Sequence, residues 1–432
     1  MINQNIITCC LVVFFLTSSH ISTAVELKAH GIVDIRASST NSLDEGYLVG
    51  GQGKFGSNDG QQLSIAQAGV ELSAQWENGF SAHGVLNAYL AGLENDEDRA
   101  AGITEAYIKY KGLPNASGYR IQIKGGIFYP EISLENNAYA WASKNTLNSS
   151  TLNTWLGEEI RVLGSEFKVT RLGRMNNDAF DLSLSATAFI NNDPAGALIA
   201  WHGWTMSSRQ TLWGEAREFP WFPALADGAP LAKQADKSEP FLEIDDNAGY
   251  HVRAEWSLHG KGELSAGYYD NKAIPYQEID GQYGWRTRFY HLGARWRISK
   301  SLSLTAQYLS GSTLMQSPLK EDMVNNDYSS GFVSLTYQWQ GFFGSEKSGN
   351  KKHKSTLRLE DFSVTDNDNT WGDNNNEDGQ ALTLNHSYRL SKHWFLSAEF
   401  NYIDSHRPAR YYTYKPADLV EKQLQLAARY FF

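Results

Sequence analysis

The residues best placed to do chemistry in this sequence are basic, and they recur at alternate positions of extended-looking segments. By parity, Lys28, Arg36, Lys109, Arg120, Lys124, Arg161, Arg253, Arg295, Arg297, Arg358, Arg389 and Arg429 fall on the polar faces of those segments. Fewer acids share these faces: Asp34, Glu71, Glu105, Glu255, Glu263, Glu360 and Glu399. Such a set does not break bonds. Around water it selects ions by charge, and an excess of cations favours anions mildly. Paired with one another, the same residues would instead stiffen a wall.

Bond-making chemistry finds little support. His30, His83, His251, His291 and His386 lie within the alternating segments, where a histidine usually serves as a polar lining residue. No Gly-x-Ser-x-Gly elbow and no His-Glu-x-x-His pair accompanies them. No catalytic residue, metal-ligand set or cofactor site is assigned. The run Asp366–Asp378 is rich in oxygen ligands but lacks the glycine at position six of an EF-hand loop, so it reads as a solvated loop. Aromatic residues crowd the stretch from Trp201 and Trp204 to Trp213, Phe219, Trp221 and Phe222. Packing of that stretch on itself is the default reading; a sugar-stacking platform and a subunit contact are the alternatives.

The elements that must position these residues are strands. Leu27, Ala29, Gly31, Val33, Ile35 and Ala37 alternate with Lys28, His30, Asp34 and Arg36. Val70, Leu72, Ala74 and Trp76 alternate with Glu71, Ser73 and Gln75, and Asn78-Gly79 then marks a hairpin. Tyr290, Leu292, Ala294, Trp296 and Ile298 repeat the pattern, as do Trp394, Leu396, Ala398, Phe400 and Tyr402. A period of two sends successive side chains to opposite faces of a strand. No helical pattern of comparable length competes, which excludes α/β folds. Tyr, Trp and Phe stand at the ends of the apolar faces, and charged residues stand at mid-strand on the polar ones. That combination favours a membrane barrel with a wet lumen over a soluble sandwich.

Composition agrees. The chain has 432 residues, a formal charge of −10 and a mean hydropathy of −0.44, too polar for a bundle of membrane helices. The apolar run Ile6–Leu16 is too short to span a bilayer as a helix. With Ser22 and Ala24 ahead of a cleavage point after Ala24, residues 1–24 read as a secretory signal peptide, although no Lys or Arg precedes the run. Both cysteines, Cys9 and Cys10, lie in that segment, so the mature chain offers no disulfide. The acidic balance argues against a nucleic-acid partner.

Strands are expected at 27–38, 63–77, 80–90, 103–111, 119–128, 159–172, 180–190, 249–258, 263–270, 286–298, 302–313, 329–340, 355–364, 380–390, 394–404 and 420–432. The fold class is therefore all-β: an antiparallel up-and-down transmembrane barrel of about 16 strands, residues 25–432, with both termini on the periplasmic side. Connections are expected to alternate strictly between short inner turns and long outer loops. The segment 191–248 reads as one long fourth loop, yet it is long enough to hide a hairpin, so 18 strands is the alternative. The third loop, 129–157, follows an outward strand and precedes an inward one.

The final strand, Leu424, Leu426, Ala428 and Tyr430 leading to Phe431-Phe432, resembles the closing strand of Gram-negative outer-membrane barrels. There the resemblance implies an assembly signal. The stretch Ile123-Lys124-Gly125-Gly126-Ile127-Phe128-Tyr129-Pro130-Glu131-Ile132-Ser133-Leu134-Glu135 resembles the strand and third loop of the phosphate-selective porin O/P superfamily. These resemblances imply a porin: a passive channel in the cell outer membrane, exported through the periplasm, for small hydrophilic solutes. A barrel acting as receptor or adhesin through its loops is the alternative, and an outer-membrane hydrolase a further one. The third loop is expected to enter the lumen. Glu131, Glu135 and Tyr139 would then face Arg36, Arg120, Lys124, Arg161 and Arg358 across the constriction, with a mild preference for anions. Partners are outer-membrane lipid, lipopolysaccharide and the solutes themselves. The sequence leaves the oligomeric state open, a homotrimer included.

Overall fold

The structure is a computed structural model that describes residues 25–90, 99–340 and 352–432. The segment read as a signal peptide lies outside the described residues. Sixteen antiparallel strands close into one barrel: β1 (Val25–Asn41), β2 (Gly60–Trp76), β3 (Phe80–Ala88), β4 (Ala101–Lys111), β5 (Tyr119–Phe128), β6 (Val162–Arg171), β7 (Phe180–Ile190), β8 (Gly249–Leu258), β9 (Gly262–Asp270), β10 (Arg288–Arg297), β11 (Leu302–Gln316), β12 (Asp322–Trp339), β13 (His353–Asp366), β14 (Glu377–Arg389), β15 (Trp394–His406) and β16 (Asp418–Phe431). Each strand pairs with its neighbours in sequence, and β1 pairs with β16, from Ile32 opposite Phe431 to Asn41 opposite Lys422. Gly31 and Phe432 exchange backbone hydrogen bonds of 3.1 and 3.2 Å at the seam. A Cβ on Gly31 would lie 2.4 Å from the Phe432 ring, so the closing aromatic fits because residue 31 has no side chain.

Parity holds around the wall. Leu184 is exposed on the outer face while its neighbour Ser185 is buried in the lumen. Trp256 stacks on Trp296 at one height of the outer face, and Tyr250, Tyr268 and Tyr290 form a second row. These rows are the interfacial aromatic girdles of a membrane barrel. An arginine at mid-height on the lipid face costs roughly 2–4 kcal/mol, far more than one in the lumen. Leu184→Arg should therefore lower the unfolding midpoint of the purified barrel in denaturant much more than Ser183→Arg. The opposite ranking would put the register off by one residue.

The segment 191–248 is one long loop, as expected, and adds no strand to the wall; its only ladder is Arg217–Glu218 against Lys237–Ser238. The strict alternation of short and long connections departs from the sequence reading twice: the inner connection between β12 and β13 spans 340–352, and one outer connection is short. β11 and β12 run on well past the expected 313 and 329, so only 317–321 remains between them on the outside. Polar residues such as Asn325, Asn326 and Asp327 continue the ladder there, because hydrogen bonding to a neighbour does not require an apolar face.

Strand length divides the barrel. β3 to β10 have nine to eleven residues each, whereas β11 to β16, β1 and β2 have thirteen to eighteen. The extensions lie on the outer side and expose Asp327, Asp361, Asp378, Asp404 and Asp418.

Candidate functional site

The outer half of the lumen is filled by its own loops. Inward-facing residues of the wall turn apolar there: Phe128, Phe189, Tyr269, Phe289, Tyr328 and Phe362 are buried. Against them pack the third loop, running to Arg161, and the fourth. The third loop contains helix α1 (Thr151–Glu159), every residue of which is buried. Trp155 meets Trp204, Phe289 and Tyr328 edge-on at 5.3 to 5.9 Å. The fourth loop contains α2 (Ala197–Trp201), whose apolar residues join Phe219, Phe222, Trp285 and Met315 in a second core. The aromatic stretch is thus mainly packing, although Trp221 keeps 55% of its surface exposed.

Ends of buried helices need partners for their free amides. Ser150 caps α1 by accepting from Asn153 N at 3.2 Å, and Glu360 on β13 accepts from Thr151 N at 2.7 Å. A carboxylate suits that end of a helix dipole. At the other end of α1, Glu159 accepts from Gly196 N at 3.0 Å and Leu198 N at 2.9 Å, the first amides of α2. One carboxylate therefore joins the two plug helices. Burial pushes Glu158 and Glu159 up to about 7 each.

The segment from Ser143 to Ser150 has no regular structure, so its backbone groups must be met by side chains. The far wall supplies them. Arg358 donates to Asn148 O and Ser149 O at 3.1 and 3.0 Å, Arg36 to Leu147 O at 3.0 Å, and Arg429 to Ser143 O at 3.1 Å. Glu399 accepts from Asn148 N at 2.9 Å. Nearer the loop's start, Gln307 accepts from Leu134 N and donates to Ile132 O, and Glu71 accepts from Ala140 N. Ala140 and Trp141 hold φ of +54° and +59°, a conformation L residues adopt only when surroundings enforce it.

The eight residues singled out from sequence take distinct places. Arg36 and Arg358 are buried in the clasp; Arg36 is paired with Asp34 at 2.8 Å, and Arg358 with Glu360 at 2.7 Å and Glu135 at 3.3 Å. Arg161 follows α1 and binds Tyr129 Oη at 3.0 Å and Thr211 O at 2.7 Å, bridging the third and fourth loops. Glu131 meets Lys168 at 2.7 Å and Arg253 at 3.3 Å. Tyr139 stacks flat on His30 at 4.7 Å. Lys124 pairs with Glu166 at 3.2 Å and sits over the Phe128 ring. Arg120 remains half-exposed on the inner side. The loop's carboxylates therefore touch their cations directly, with no gap of water between them. Glu360, Glu399, Gln307 and Arg429 complete the clasp and were not singled out; their inward parity was legible, but their partners are backbone atoms of a loop, which sequence does not place. In the acid-rich loop, Asp366 accepts from the amides of Asp368 and Asn375, and Asp368 from those of Thr370 and Asn325.

Basic side chains line part of the inner half of the lumen. Lys109, Lys111 and Arg120 face it from β4 and β5 and make no ion pair among the described residues, while Lys109 lies directly opposite Lys124 in the ladder.

A closed barrel of sixteen antiparallel strands with a third loop folded inside has the architecture of an outer-membrane porin. The outer membrane channel DcaP of Acinetobacter baumannii matches over 95% of this chain and 98% of its own, with a TM-score of 0.54 at 12% identity. An anion-selective porin from Comamonas acidovorans matches over 95% and 100%, with a TM-score of 0.53 at 12% identity. OprB of Pseudomonas putida matches over 94% of both chains, with a TM-score of 0.52 at 14% identity. At these identities the likeness is one of fold. No family model matches the sequence, and no curated protein is matched by it.

Proposed function

We propose that this chain is a porin-type channel of the cell outer membrane that passes small hydrophilic solutes by diffusion, with a mild preference for anions. The observation that carries the reading is the third loop, drawn across the lumen and stitched to the opposite wall by Arg358, Arg36, Glu399 and Arg429. A loop held so sets the bore of a channel. The preference for anions rests on Lys109, Lys111 and Arg120 in the inner vestibule, which make no direct ion pair among the described residues. The channel works without cofactor or catalysis. Export through the periplasm with cleavage after Ala24, contact with lipid and lipopolysaccharide, and assembly as a homotrimer complete the proposal. The distant resemblance to the phosphate-selective porin superfamily adds support through the 123–135 stretch alone.

Reversal potential in a salt gradient across a planar bilayer tests it. The native barrel should favour anions, and Lys109→Ala with Arg120→Ala should move the potential toward cation selectivity. Arg161→Ala should move it little, because that guanidinium is spent on Tyr129 and Thr211. An unchanged potential in the double variant removes the anion preference. A folded barrel without conductance removes the channel.

A further inference from the structure

The outer surface of the plug presents large apolar side chains to solvent. Trp371 and Tyr411 keep 68% and 64% of their surface exposed, and Trp221, one residue from Phe222, is exposed as well. Leu225, Met323 and Tyr412 lie among them, half-buried on the core of Trp201, Phe222 and Trp285. These residues come from the fourth loop, the start of β12, and the connections β13–β14 and β15–β16. Specific contacts join them into one surface. Ala224 N donates to Gly372 O at 3.2 Å, Thr370 Oγ1 donates to Met323 O at 2.7 Å, and the Tyr412 ring meets Phe222 at 5.8 Å. Trp201 Nε1 donates to Asp373 at 3.0 Å, which fixes the loop carrying Trp371 to the plug. A continuous apolar patch with a polar rim marks a contact surface, and rings held in advance lose little freedom on binding.

The rim is acidic. Asp227 and Asp322 are exposed beside the patch, and Asp366 and Asp368 are half-buried. Two lysines of the same region have other partners: Lys415 donates to Leu43 O at 2.7 Å, and Lys320 lies over the Tyr276 ring at 4.5 Å. Asp322, Asp366 and Asp368 each already accept a hydrogen bond at both oxygens. They therefore offer fixed charge more than free acceptors. A carbohydrate laid on the rings needs free acceptors for its hydroxyls, and an anionic ligand is repelled. A polypeptide segment that carries apolar side chains ringed by lysine and arginine matches both the rings and the rim. We infer that this surface docks a basic polypeptide segment from the outer side, anchored on Trp221, Trp371 and Tyr411. The inference does not depend on conduction.

Panning a random dodecapeptide library on the full barrel in zwitterionic nanodiscs tests it. Peptides enriched on the native barrel should carry net positive charge and a large apolar residue. They should bind about tenfold more weakly to the Trp221→Ala, Trp371→Ala barrel, whose folding is read from its heat-modifiable band on a gel. Asp227→Asn with Asp322→Asn should weaken binding several-fold and flatten its dependence on salt, which keeps the test decisive if the first variant fails to fold. Enrichment of acidic or uncharged peptides, unchanged affinity in either double variant, or no enrichment at all overturns the inference. So does retention of the native barrel on neutral oligosaccharides that is lost in the Trp221→Ala, Trp371→Ala barrel, which assigns the surface to carbohydrate.

Discussion

Arg358→Ala should yield a barrel that still closes but conducts several-fold better, with noisier open levels. Arg358 is wholly buried on β13 and donates to Asn148 O, Ser149 O, Thr146 Oγ1 and Thr383 Oγ1, besides pairing with Glu360 and Glu135. Truncation leaves two buried carboxylates without their cation. Breaking a buried pair in this way costs about 3–5 kcal/mol, and each carbonyl left unmet adds to that. The wall is held by ladders on both sides, whereas the loop is held by this clasp, so the cost falls on the loop's attachment. Single-channel recording and protease cleavage within 143–150 report the detachment. Arg358→Lys should fall between, since an ammonium keeps the charge but not the planar fork. Native conductance in Arg358→Ala would mean that the loop is held elsewhere.

Conductance should also rise as pH is raised through about 7. Burial lifts Glu158 and Glu159 to about 7 each, against the opposing pull of Arg217 on Glu158 and of the Leu198 amide on Glu159. A carboxyl raised above its unfolded value favours the packed state while protonated. That contribution is complete below the ordinary carboxylate range and is lost as pH climbs through the raised value. The loss is on the order of 3 kcal/mol per carboxyl, enough to loosen α1 while leaving the wall intact. Tyr47, Arg209, Gly196 and Trp155 complete the surroundings of the two groups. Recordings between about pH 5 and pH 8 should show the change, and Glu158→Gln with Glu159→Gln should flatten it. A flat native profile would remove α1 as the pH-sensitive part.

The wall was legible because each strand repeats one local rule. The sixteen strands, their closure and the inward parity of Arg36, Lys124 and Arg358 all follow from a period of two. The plug was not, and the reason is physical. α1 has only a short apolar set, Leu152, Trp155 and Leu156 at i, i+3 and i+4, and its polar residues Asn153, Thr154, Glu158 and Glu159 are buried as well. A helix surrounded on all sides by a barrel needs polar residues wherever the wall is polar, so one turn of apolar spacing does not mark it out as buried. Likewise Phe189, Phe289 and Phe362 keep lumen parity while being apolar, because they face the plug and not water. The inward parity of Arg36 and Arg358 was legible, whereas Arg161, expected on the wall, lies just before β6 and belongs to the plug. Whether an arginine meets solvent or a loop carbonyl depends on contacts between residues more than a hundred positions apart, as between Arg36 and Asn148.

The unequal strands give the barrel a sloping mouth. With about 3.3 Å of rise per residue and strands tilted by roughly 40°, the flank from β11 round to β2 overtops the flank from β3 to β10 by on the order of 10–20 Å. On the low flank the ladders end just past Tyr250, Tyr268 and Tyr290, so almost its whole outer surface lies in the bilayer. The high flank lifts a parapet of aspartates above the lipid, which repels another such parapet and has to be met by cations or by solvent.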